Sequence, residues 1–179
     1  ALPFALVTLF LVIKVGDYSL PQMNGAFLVY CLFGGISQIL FTFLLVYLFS
    51  LRNFAVGTTF SKTEVMQVAI LGFLLLGDTI SFMGVIAIII GMVGVMALAA
   101  SQTAIIWKNL ATSLLESSTL IGLLSGGFLG ASVVLFRGAT LSLGDGDVLP
   151  RASLTLAVAL IMQTLIMGVY LILREPGQM

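Results

Sequence analysis

The chain has 179 residues, 60% of them hydrophobic and 8% charged, with a mean hydropathy of +1.24. A water-soluble domain carries roughly 25% charged residues, so this composition excludes a surface built for water and requires lipid as the folding medium. The 7 basic and 7 acidic residues cancel, which leaves no electrostatic footprint for nucleic acid and no polybasic patch for a membrane surface.

Apolar stretches bounded by charges, Pro, or Gly and Asn clusters predict the membrane helices in chain order. Residues 1–13 are apolar but too short to cross, and end at Lys14-Val15-Gly16-Asp17. The chain opens on Ala1-Leu2-Pro3 inside this run, without a basic n-region or a small-residue cleavage site. The expectation is a sequence that starts within a membrane helix and is a piece of a longer one.

Residues 24–50 predict a second helix, closed by Arg52-Asn53, and residues 54–76 a third, ending at Gly77-Asp78. Residues 80–100 are almost pure Ile, Val, Met, Ala and Gly. The segment 101–117 holds Trp107, Lys108, Asn109 and Glu116 among apolar residues. A Trp beside a Lys fits the headgroup level, and predicts a short interfacial helix.

Residues 118–136 and 152–173 complete the set. Arg137 is expected to end the first of these at the membrane interface. The intervening 138–151, with Asp145, Asp147, Pro150 and Arg151, reads as a turn-rich loop. Arg174-Glu175-Pro176 closes the last helix. The sum is about five complete crossings and one truncated crossing. Membrane barrels alternate over roughly 10 residues per strand, and no such alternation is present. The fold class is all-α, a polytopic transmembrane helix bundle.

Charge does not orient it. Alternate loops place Lys14, Arg137 and Arg151 on one side and Arg52, Lys108 and Arg174 on the other, a tie under the positive-inside rule.

The chemistry available is narrow. There is no His, so the commonest general base and metal ligand are missing. The single cysteine, Cys31, can form no disulfide within the chain and makes no metal site. The Asp145/Asp147 pair lies in a loop and reads as a solvated turn. Neither an enzyme nor a bound cofactor is expected.

Small residues recur at helical spacing. Gly122, Gly126 and Gly130 share one helix face, as do Gly84, Ala87, Gly91 and Gly94. Lipid gives no hydrophobic drive for helix association, so missing side chains allow the close backbone approach that holds membrane helices together. Packing within the chain and a homodimer interface both remain open.

Polar groups at membrane depth carry the functional signal. In a helix over 54–76, Lys62 and Glu64 lie about a third of the way in, with Gln67 near the middle. An ionised group at mid-membrane costs roughly 2.5–3.5 kcal/mol on insertion scales. At about 100° per residue, Lys62 and Glu64 point roughly 200° apart, whereas Glu64 and Gln67 share a face. Two readings stand: contacts in a translocation path, or headgroup-level charges that snorkel. Ser37, Gln38, Thr42 and Gln163 are softer signals. Gln38 and Thr42, four apart, share a face and suit either interhelical hydrogen bonds or a solute path.

Residues 54–100 carry a resemblance. A polar entry is followed by Leu71-Gly72-Phe73-Leu74-Leu75-Leu76-Gly77-Asp78, then Ile80-Ser81, Gly84 and Ile90-Gly91-Met92-Val93-Gly94-Val95. This resembles the EamA branch of the drug/metabolite transporter superfamily. Asp78 stands where that family has Glu, and Val65 where it often has Pro. The resemblance implies a ten-helix, multi-pass protein of the bacterial inner membrane, built from two inverted five-helix repeats. Residues 1–100 would be the end of the first repeat from a truncated helix 2, 101–117 a connector, and 118–179 the start of the second. It implies a solute site near the midplane between the repeats, lined partly by 24–50 and 54–76, with 80–100 a packing helix. The function implied is transport of a small organic solute, an amino acid, metabolite or drug-like compound, by alternating access with proton or exchange coupling. The partners are then that solute and membrane lipid. A membrane scaffold or assembly protein is the alternative.

Overall fold

The computed structural model describes residues 2–16, 18–51, 54–102 and 117–174. The predicted interfacial helix with Trp107, Lys108, Asn109 and Glu116 therefore lies outside the described residues, as do Asp17, Arg52, Asn53 and Glu175-Pro176. Among the described residues all regular structure is helical. The elements are α1 (Leu2–Lys14), α2 (Gly25–Phe49), α3 (Phe54–Ser61), α4 (Glu64–Leu76), α5 (Phe82–Gln102), α6 (Ser117–Ser142) and α7 (Val148–Arg174).

Three of these, α2, α6 and α7, are long and apolar enough to cross a membrane. They support a membrane-embedded helical chain. The expected stretch over 54–76 is not one helix: it is divided at Lys62-Thr63 into α3 and α4. The predicted end of α6 at Arg137 also moves. The helix runs on to Ser142 because Gly138 and Ala139 are buried, and an exposed Arg137 does not interrupt the backbone ladder. Likewise α7 begins at Val148, ahead of the expected 152, with Pro150 in its first turn, where a missing N–H costs nothing.

Burial is inverted relative to a water-soluble protein. Phe4, Phe82 and Leu173 are each more than three-quarters exposed, while Ser118, Thr119, Ser125 and Ser132 are buried. Such a distribution suits a lipid surround and a small-residue interior.

The chain forms two compact units, one of residues 1–36 with 135–179 and one of residues 37–134. The first has a core of Phe27, Cys31, Ala139 and Leu154, against which Leu9, Tyr30, Leu143, Val158 and Met162 pack. Ala5 and Val12 bury the same face of α1 as Leu9, and α1 packs on α7. Asn24 starts α2: its Oδ1 accepts the Phe27 N–H at 2.7 Å, while its Nδ2 donates to the Ser142 carbonyl at the end of α6. Thr140 donates to Thr155 at 3.1 Å, joining α6 to α7. The Arg151 guanidinium folds back onto the carbonyls of Gly144, Gly146 and Asp147, and so ties the connecting loop to the first turn of α7.

In the second unit α5 packs against both α3 and α4. Ser81 starts α5 by accepting the Gly84 N–H on its Oγ at 3.1 Å. At the end of α4, Gly77 is left-handed, with φ +70°. Its N–H bonds the Phe73 carbonyl at 3.2 Å and the Asp78 N–H bonds that of Gly72 at 3.2 Å, which satisfies two of the helix's terminal carbonyls.

Candidate functional site

The break between α3 and α4 has a local cause. The Thr63 N–H bonds the Phe60 carbonyl at 3.1 Å, an i to i−3 contact, and the Thr63 hydroxyl donates to that same carbonyl at 2.7 Å. The N–H contact closes a tighter i to i−3 turn in place of an α-helical bond, and takes Thr63 out of the α-helical ladder. The turn then leaves Lys62 just past the C-terminal end of α3 and Glu64 at the first position of α4. Those are the favourable ends for a cation and an anion in the helix dipoles. Two charges that would be costly inside one continuous helix thus sit at helix termini.

They do not face the same space. Lys62 is exposed and lines a partly open pocket of about 120 Å³ together with Thr63, Val65, Met66, Ala87, Ile88, Gly91 and Met92. Glu64 is half-buried and is not one of the lining residues; its Oε2 is buried with no hydrogen-bond partner among the described residues. Gln67 faces α6. Its Nε2 donates to the Thr63 hydroxyl at 3.0 Å and to the Leu123 carbonyl at 3.3 Å, and its Oε1 lies against Gly127.

α6 meets the broken helix backbone to backbone. A Cβ on Gly122 would overlap the Gly57 carbonyl, one on Gly126 would come 2.6 Å from the Ser61 carbonyl oxygen, and one on Gly130 would lie 3.3 Å from the Val68 nitrogen. The glycine series spaced by four therefore lies along α3, the turn and α4. The second series behaves differently. Gly84 has only Ile80 and Ser81 of its own segment nearby, and Gly91 and Gly94 have open space around their α-carbons.

The remaining candidates are separate from the pocket. Thr42 is exposed, and its hydroxyl donates to the Gln38 carbonyl one turn back at 2.9 Å. Gln38 is half-buried on the same helix. Neither lines the pocket, and nor does Gln163, whose side chain lies against Gly35 in the other unit. Of the five solute-path candidates, Lys62 alone lines this pocket.

Two polar groups went unmarked in the sequence. The buried hydroxyls of Thr119 and Ser125 on α6 have no partner among the described residues, like Glu64 Oε2. Ser118, Ser125 and Ser132, all buried, recur every seven residues. That period was the available signal, and serines among apolar residues do not register in hydropathy.

Among the described residues no group of three or more Cys, Asp or Glu is placed to hold a metal ion. None of the protein-family models, curated proteins or solved structures compared with the chain matches it.

Proposed function

We propose that the chain is part of a multi-pass transporter of the inner membrane, of the EamA kind, which moves a small organic solute by alternating access. The observation that supports this is the interrupted helix: α3 and α4 meet at a polar turn that borders a pocket, in a chain with little other charge. Discontinuous helices are a recurrent way to place polar groups and helix termini against a solute within the membrane. Lys62 contacts the solute. Glu64, with a carboxyl oxygen buried and without a partner among the described residues, is the carboxylate that couples transport to the proton gradient.

The test is uptake into proteoliposomes that contain the full-length protein, with a panel of labelled amino acids and other metabolites, with and without an imposed proton gradient. Glu64→Gln is expected to leave solute exchange and abolish the response to the gradient; Lys62→Gln is expected to reduce uptake itself. Uptake that neither substitution alters would remove both residues from the mechanism.

A further inference from the structure

We infer that the pocket beside the broken helix is a binding site for a small apolar monoanion: one aromatic ring or short branched chain carrying a carboxylate or sulfonate. The inference takes its biological use from the transport reading, but the binding itself stands on the pocket.

Size sets the first limit. An apolar cavity of about 150 Å³ accepts benzene, and this pocket holds about 120 Å³ and is partly open. One ring or a branched chain of similar bulk fits, with its polar head at the mouth. The walls set the second limit. Val65, Met66, Ala87, Ile88 and Met92 offer hydrocarbon and thioether surface, and the adaptable methionines suit a ring.

The head is specified by charge. Lys62 is the one ionisable residue of the lining, and forms no ion pair among the described residues. Thr63, the other polar side chain, already spends its hydroxyl proton on the Phe60 carbonyl. Lys62 is exposed, and its flexible stem can bring the ammonium to a head at the mouth, where it selects an oxyanion over a neutral or cationic head. The nearest acidic residue in sequence, Glu64, does not line the pocket. Gly91 lines the pocket, and a Cβ there would meet no atom within 4 Å, so a larger side chain can be introduced beside the ligand without displacing backbone.

Benzenesulfonate is the probe, because it stays charged and does not cross lipid unaided. It would be titrated by calorimetry into the full-length protein in phosphatidylcholine nanodiscs. Saturable binding is expected, weakened about tenfold or more by Lys62→Gln and by replacing the probe with neutral benzenesulfonamide, as for loss of a charge-assisted hydrogen bond. Lys62→Arg should retain most of the affinity. Gly91→Leu should abolish binding, whereas Gly94→Leu, equally free of steric conflict but outside the pocket, should leave it unchanged. Equal binding by Lys62→Gln, or by Gly91→Leu, would overturn the assignment. Displacement of the probe by phosphatidylglycerol in the nanodisc would also overturn it, and would give the pocket to a lipid phosphate. Uptake of labelled benzenesulfonate into vesicles separates the two readings. Binding without uptake sinks transport of this ligand class and leaves the site; uptake that Gly91→Leu does not affect sinks the site and leaves transport.

Discussion

The α-carbon of Gly122 lies against the carbonyl of Gly57, close enough that any side chain at 122 would overlap that peptide unit. One turn on, Gly126 stands in the same relation to Ser61. Contacts of this kind replace the missing hydrophobic drive with dispersion between backbones, and a peptide group cannot move aside as a flexible side chain can.

Gly122→Ala and Gly126→Ala are accordingly expected to destabilise the protein by about 1–3 kcal/mol each, the usual range for overpacking. Gly91→Ala adds a methyl to open space and removes a helix-interior glycine, a gain of up to about 1 kcal/mol. Thermal unfolding in detergent, followed by circular dichroism, should give melting points that fall for the first two and hold or rise for the third. Equal falls at all three positions would remove the distinction between the two glycine series.

Gln67 joins the turn to α6. Replacing it with Leu breaks its bonds to Thr63 and Leu123, and interhelical hydrogen bonds in membranes are worth about 0.6 kcal/mol on average, with a maximum near 1.7. A loss in that range is expected for Gln67→Leu. In a double-mutant cycle with Thr63→Ala, the two changes should be less than additive, since they share one bond. Strict additivity would show that the pair is not coupled.

Gly77 is a backbone requirement. Its left-handed φ of +70° leaves nothing within reach of an added Cβ, so the only penalty in Gly77→Ala is conformational, about 1–2 kcal/mol. Gly77→Asn should cost less, because Asn enters this region more readily. The order Gly, Asn, Ala in melting temperature checks the assignment.

Asn24 serves two helices at once, as the N-cap of α2 and a donor to the last residue of α6. Cap removal costs about 0.5–2 kcal/mol. Asn24→Asp should keep the cap, because an oxygen still accepts the Phe27 N–H, yet lose the donor to Ser142. Hydrogen exchange at the start of α2 and at the end of α6 separates these effects. Asn24→Ala should speed exchange at the first, and both variants should loosen the second.

The helices of this chain were legible where a single rule governs them. Long apolar runs give α2 and α7 to within a few residues, and the start of α6, because hydrocarbon selects length and hydropathy directly. The break at Lys62-Thr63 is not legible, since neither Pro nor Gly marks it, and a hydroxyl turned back on its own chain also occurs at Ser132 inside the unbroken α6. The end of α6 is hidden for a related reason. A charged residue looks like a boundary in sequence, whereas Arg137 is exposed on a helix whose neighbouring Gly138 and Ala139 are buried. At the site, the angle expected between Lys62 and Glu64 assumes one continuous helix, which the break at Lys62-Thr63 removes, and the pocket depends on where α5 packs, which periodicity does not encode.

The broad apolar exterior of the helices has a practical corollary for handling the molecule. Side chains such as Phe10, Phe33, Leu124 and Leu165 stand more than half uncovered, and in water they would collect a collar of amphiphile. A 19.0 kDa chain extracted from its bilayer should therefore elute from a sizing column as a much heavier particle. Most of the excess mass would be surfactant, and the true stoichiometry would emerge only after subtracting that collar by light scattering.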